Sequence, residues 1–226
     1  MSGVVKGVDV SSWQHPYGAA IDWEEVAKDG YTFMLVKATQ GTGYQNPWLH
    51  RDIDDARAAG LLVGAYHFLE VNPEISQQAD VFISSLVGQV LELGVWCDFE
   101  PGASQPAVAQ QAMTTFVAHT NETRPGCGLY CDLAWLDALK AAYVPVPRLW
   151  LADWAVGMAH VGEMIWQFGQ AEVKGIPGQV DVDVLTSTRG LNLPTAPTPK
   201  PTAATVSTVK LPAEEEGLRV DGDVEP

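Results

Sequence analysis

The chain has 226 residues, 46% of them hydrophobic, and a formal net charge of -15. That length suits one moderate domain plus an extension, and such acidity excludes a nucleic-acid partner, because phosphate binding needs a basic surface. No apolar run approaches the roughly 20 residues of a membrane span, so membrane insertion is not expected. The opening Met1-Ser-Gly-Val-Val-Lys-Gly7 has neither the apolar stretch nor the cleavage site of a secretory signal. Cys97, Cys127 and Cys131 are odd in number and lack zinc-type spacing, which predicts free buried thiols and synthesis in a reducing compartment. Eight Trp are available for a core and as platforms for the apolar faces of sugars.

Val4 to Val10 reads as a strand ending near Asp9, followed by the loop Ser11-Ser-Trp-Gln14. Asp22 to Asp29 predicts a short helix with Asp22 as N-cap and Glu25 three residues on. Tyr31 to Thr39 is a β-rich apolar run, as in a strand buried on both faces. Asn46-Pro47 opens a helix that Gly60 ends. Leu61 to Leu69 is the third buried strand, and Pro73 to Val87 is helical, with Ala79, Phe82, Ile83 and Leu86 on one stripe. Gly94 to Glu100 forms the fourth strand, stopped by Pro101; a helix follows from Pro106 through His119. Gly126 to Cys131 is a strand with its helix at Leu133 to Ala142, and Arg148 to Trp154, Met164 to Phe168 and Val180 to Leu185 complete eight strands.

Strands alternating with helices predict βαβ units and a parallel sheet, either closed into a barrel with its active face at the strand C-termini or left open. The connections after Trp154 and after Phe168 run only about ten residues, short of the dozen or more that a parallel crossover needs. The last third is therefore expected to lack barrel helices and to include antiparallel strands. Asn192 to Thr208, rich in Pro and Thr, has the composition of a linker. The acidic residues 210–226 are too few to bury a core and are expected to be disordered.

Chemistry concentrates at Trp96-Cys-Asp-Phe-Glu100. Side chains at i and i+2 of a strand share a face, so Asp98 and Glu100 project together. Two adjacent carboxylates repel, and one keeps its proton while the other ionises. Asp9 and one of Asp181 or Asp183 fall at other predicted strand C-termini, which in a barrel converge on one cleft. No nucleophile elbow or metal-ligand spacing is present, and neither a metal nor a cofactor is expected. His67 is expected to be a packed core histidine.

Gly7-Val-Asp-Val-Ser-Ser-Trp13, Val36-Lys-Ala-Thr39, Gly64-Ala-Tyr-His-Phe68, Trp96-Cys-Asp-Phe-Glu100, Leu149-Trp-Leu-Ala152, Trp166-Gln167 and Val180-Asp-Val-Asp183 occur in that order. Together they resemble glycoside hydrolase family 25, the Chalaropsis-type lysozymes. The resemblance spans roughly residues 4–190, so residues 1–190 are taken as the catalytic domain, 191–209 as linker and 210–226 as tail. It implies an irregular eight-stranded β/α (TIM-like) barrel with fewer than eight helices. It also implies cleavage of the β-1,4 bond from N-acetylmuramic acid to N-acetylglucosamine in bacterial peptidoglycan. Glu100 matches the general acid and Asp98 the second carboxylate, with Asp9 and Asp181 as flanking acids. Tyr66, Lys37, Tyr130, Trp154 and Gln167 match positions at or near the cleft lining. Gly217-Leu-Arg-Val-Asp-Gly-Asp223 looks like the opening of a peptidoglycan-binding repeat.

An i, i+2 pair approaches a sugar from one side, which suits retention and participation by the substrate's acetamido group, with direct attack by Asp98 as the other route. The competing functions are a chitinase-like hydrolase and a non-catalytic wall-binding barrel. A monomeric endolysin is expected, made in the cytoplasm and released to the wall by a holin-type membrane-permeabilising partner.

Overall fold

Successive strand side chains point to opposite faces, and in this chain both faces are apolar because one lines a closed barrel and the other lies under helices. The structure, a computed structural model, describes residues 5–146, 148–155 and 164–187, all within one compact unit, residues 1–195. The expected linker and tail lie outside the described residues. In chain order the elements are β1 (Val5–Val10), α1 (Trp23–Lys28), β2 (Tyr31–Gln40), β3 (Tyr44–Gln45), α2 (Leu49–Ala58), β4 (Leu62–Phe68), α3 (Ile75–Ser85), β5 (Gly94–Asp98) and α4 (Pro106–Thr123). There follow β6 (Gly128–Asp132), α5 (Leu133–Ala141), β7 (Leu149–Ala152), β8 (Ile165–Glu172) and β9 (Gln179–Leu185).

The sheet runs β1-β9-β8-β7-β6-β5-β4-β2, and a β1–β2 pairing closes it into an eight-stranded barrel. β3 was not foreseen; it folds back antiparallel on β2 across Gly41-Thr-Gly43. All barrel strands are parallel except β9, which is antiparallel to both β8 and β1. The expectation of antiparallel late strands is thus met by β9 and not by β8. Residues 173–178 are too few for a crossover, so β8 and β9 form a hairpin, which also extends β8 past Phe168 to Glu172. Residues 153–164, about a dozen, separate the parallel β7 and β8.

Local signals set several boundaries. Asp22 caps α1 by accepting from the Glu25 amide at 3.1 Å, while the Glu25 side chain pairs with Lys28 instead of completing a capping box. α2 starts at Leu49 because the Asn46 side chain accepts from the Trp48 amide, making a turn where helix was expected. α4 continues past His119 to Thr123, since Ala109, Ala112, Met113, Phe116 and Thr120 keep its buried face in step.

Two apolar layers result. Outside the barrel, Val8, Val36, Val63, Val95, Cys97, Leu129 and Leu151 meet the helices. Inside, Phe33, Leu35, Trp96, Trp150, Ile165 and Leu185 fill the lumen. Trp150 is its centre, with rings of Tyr66 at 5.7 Å, Trp96 at 6.1 Å and Tyr130 at 4.5 Å. A side chain at Gly7 would overlap the Phe33 ring, and one at Gly128 the Trp96 ring, so glycine at these strand positions makes room for the aromatic floor.

His67 is fully buried under the helices, its ring on Phe116 at 4.7 Å and its nitrogens hydrogen-bonded with Thr39 Oγ1 at 2.7 Å and Gln78 Oε1 at 3.1 Å. Burial lowers its pKa to about 4, so it is a neutral core histidine. The three cysteines are free and buried, with burial raising each thiol pKa, to about 12 for Cys127 and Cys131. Gly128→Ala should lower unfolding stability by about 1–3 kcal/mol through overpacking against Trp96. Chemical denaturation measures it; unchanged stability would show that the lumen is loosely packed.

Candidate active site

The alternation that builds the lumen also aims the polar residues. Above the aromatic floor, toward the C-terminal ends of the parallel strands, the inward positions become Asp9 on β1, Lys37 on β2, Tyr66 on β4, Asp98 on β5 and Tyr130 on β6. β9 runs the other way, so its N-terminal end lies at this mouth. Asp181 pairs in register with Asp9, and Asp183 lies one inward position deeper, opposite Gly7. The expectation that the last acid ends its strand is therefore corrected: Asp181 reaches the mouth from the start of β9. Both Asp181 and Asp183 point inward, and only Asp183 is wholly buried.

A second correction concerns the pair on β5. The strand ends at Asp98, where the Phe99 amide turns to the Tyr130 carbonyl at 2.9 Å and Phe99 packs on Trp135. Glu100 thus sits on the loop and not on the pleat. The two carboxyls still perturb each other. Burial, and then the neighbouring Glu100, raise the Asp98 pKa well above the carboxylate range; Lys37 opposes this. Burial also raises Glu100, whose carboxyl faces the open mouth. Two carboxyls that perturb each other in this way titrate as one unit.

Asp9 is buried and raised by desolvation, then by Asp183 and Asp181. Its Oδ2 accepts from Gln167 Nε2 at 2.9 Å. Gln167 Oε1 accepts from Tyr130 Oη at 3.0 Å and from Trp154 Nε1 at 3.2 Å. Gln167, expected at the cleft lining, is therefore a buried bracket that joins β8 to β1, β6 and the loop after β7. Trp154 is half exposed, its ring presented at the mouth. Lys37 donates to Gln40 Oε1 at 2.6 Å and lies over the Phe68 ring at 4.5 Å; burial lowers its pKa, against Asp98, Glu100 and Glu70. Desolvation and the surrounding acids raise both Tyr66 and Tyr130, which stay neutral phenols.

A cavity of about 310 Å³ opens beside the pair, lined by Glu100, Gly102, Tyr130, Asp132 and Trp135. Asp132 was not anticipated in this cleft, although it ends β6 as Asp98 ends β5; its local signal is that of an N-cap, and it does cap α5. The larger groove of about 700 Å³ between residues 71–76 and α4 is lined by no ionisable side chain and is not the chemical centre. Among the described residues no His, Cys, Asp and Glu cluster is arranged to hold a metal ion.

A closed β/α barrel whose strand-end mouth gathers carboxyls suits glycoside hydrolysis. The chain belongs to glycosyl hydrolases family 25, whose sequence model matches residues 8–176. It is 28% identical over 197 residues to lysozyme M1 of Streptomyces globisporus, covering 80% of this chain and 66% of that protein. A family 25 glycosyl hydrolase from Bacillus anthracis superposes with a TM-score of 0.70 at 22% identity, over 82% of this chain and 90% of that one. The CTP1L endolysin gives 0.68 at 22% identity, over 81% and 67%. At that identity the structures show a common fold.

Raised carboxyl pKa values mean that the folded chain binds protons that the unfolded chain has lost. Their stabilisation is complete at acid pH and is lost as pH rises through the folded values, about 8 for Asp183. The melting temperature should therefore fall as pH rises from mildly acid through that value. Scanning calorimetry over this range reads the trend, and a melting temperature that climbs instead would contradict the raised carboxyl pKa values.

Proposed function

We propose that this family 25 enzyme is a lysozyme that hydrolyses the β-1,4 bond between N-acetylmuramic acid and N-acetylglucosamine in bacterial peptidoglycan. The observation that carries the chemistry is the contact between the Asp98 and Glu100 carboxyls at the mouth of the barrel. The pair stores one proton at a pH where lone carboxyls have none. Glu100, on the open side, delivers it to the glycosidic oxygen as general acid, and Asp98 remains as the anion. Asp9 and Asp181 flank the reacting sugar, and Tyr66, Lys37, Tyr130 and Trp154 line its approach. The relatives named lysozyme and N,O-diacetylmuramidase support this substrate.

The same contact favours net retention. Inverting enzymes keep their carboxyls about 6.5–9.5 Å apart to admit a water, and acid–nucleophile pairs stand about 5–5.5 Å apart. Asp98 and Glu100, two residues apart at the end of β5, approach the sugar from one side, which supports attack by the substrate's own acetamido oxygen, with Asp98 holding that group.

The enzyme further acts as a monomeric endolysin. It is made in the cytoplasm, reduced as its three free buried thiols suggest, and reaches the wall after a membrane-permeabilising partner releases it.

Glu100→Gln should lower wall lysis about 10²–10⁴-fold while binding persists; undiminished lysis would remove Glu100 as the acid. Mass spectrometry of digested peptidoglycan should find muramic acid at the new reducing ends. Ends in glucosamine, or cut peptides, would overturn the substrate bond. NMR of a fresh digest should show the β-anomer first, and the α-anomer first would exclude retention.

A further inference from the structure

Asp183 has no part in the chemistry described so far, yet it is the deepest acid of the cleft and fully buried. Trp150 Nε1 donates to its Oδ1 at 2.8 Å. Its register partner on β1 is Gly7, which offers no side chain, and on β8 it is Gln167, whose amide nitrogen is given to Asp9. Asp183 Oδ2 is buried with no hydrogen-bond partner among the described residues. The acid beside it is Asp9, one inward position nearer the mouth across the β1–β9 pairing, and the two carboxyls perturb each other. Each acid thus accepts one N–H, from Trp150 or Gln167, and the buried Asp183 Oδ2 is left without a donor. Two carboxylates cannot hydrogen-bond each other without a proton, and burying two like charges in contact is far costlier than burying one.

We propose that Asp183 is a positioning residue that shares one proton with Asp9, so that the pair carries a single negative charge and the Asp9 carboxyl is held in one orientation toward the cleft. This rests on the placement of Asp9 beside the reacting sugar in the lysozyme cleft. The groups facing the pair are consistent with it. β9 contributes Asp181, β5 contributes Asp98, and β4 and β6 contribute the neutral phenols of Tyr66 and Tyr130. β7 and β8 contribute the uncharged Trp150 and Gln167. Lys37 of β2 is directed to Asp98, Glu100 and Glu70. Among the described residues no cation reaches Asp183, so a proton is what neutralises it, and burial drives its pKa to about 8.

The shared proton predicts an upper pH limit. Once the pH is high enough to remove the shared proton, the pair becomes dianionic, the Asp9–Asp183 bond breaks and Asp9 loses its anchor. In Asp183→Asn an amide N–H replaces the shared proton and cannot be titrated away. This variant should keep kcat within a few-fold, with the alkaline limb of its kcat profile moved to higher pH. Asp183→Leu, similar in size and without a donor or acceptor, should lower kcat roughly 10–100-fold, the worth of a hydrogen bond to a charged group, with a smaller change in KM. An Asp183→Asn profile that overlays that of the parent, or a kcat of Asp183→Leu equal to it, would overturn the proposal.

A measurement independent of turnover covers the case where these variants fail to fold. In the Asp98→Asn/Glu100→Gln protein, which removes the other close pair, infrared titration should show a protonated-carboxyl C=O band at neutral pH that fades as the pH is raised. Absence of that band at neutral pH would also overturn the proposal. Because this arm needs no substrate, a failure of the lysozyme assignment would leave it standing.

Discussion

The cleft is governed by a shortage of positive charge. Asp9, Asp98, Glu100, Asp181 and Asp183 converge on one barrel mouth, and desolvation raises every one of them. Lys37 is the cation that faces them among the described residues, and it is itself partly desolvated. Coulomb repulsion at these distances in a low-dielectric lumen cannot be tolerated by five anions. In the scheme proposed above, protons take the place of counter-ions, one at the Asp98–Glu100 pair and one at the Asp9–Asp183 pair, and the site is loaded before the substrate arrives.

That loading depends on dryness, and the dryness comes from the aromatic floor. Trp150 contacts Tyr66, Trp96 and Tyr130, so the same ring set that seals the lumen also carries the N–H that orients Asp183. Gly7 and Gly128 yield the space those rings need. Gln167 then ties the polar layer together, because its one amide meets groups from β1, β6 and the loop after β7. Loss of that side chain would leave Asp9, Tyr130 and Trp154 each short of a partner, so its effect on the site would be felt without any contact to the sugar.

Much of this was legible in the chain. The apolar runs of β2, β4 and β5 show no polar alternation because both of their faces are buried, and that alone points to parallel strands under helices. The short segment after Phe168 excluded a crossover, and β9 indeed runs antiparallel. Asp9, Asp98 and Glu100 could be placed near a common mouth because strand C-termini converge in a barrel. Asp132 and β3 were harder to see. The first presents itself as a helix cap, and the second is two residues long and defined only by its partner on β2.

What the sequence determined by itself is the class of the fold, the carboxylates that chemistry requires and the family whose motifs they form. The first two follow from periodicity, spacing and side-chain type, which are properties of short stretches, and the family from the resemblance of seven motifs in order. Tertiary structure alone decided which carboxyls touch. β5 ends at Asp98, so contact with Glu100 is made by a loop and not by the pleat. β9 is reversed, so Asp181 reaches the mouth while Asp183 drops beside Asp9 and Trp150. Proton sharing depends on separations of a hydrogen-bond length between residues as far apart as 9 and 183, and only closure of the barrel sets such distances.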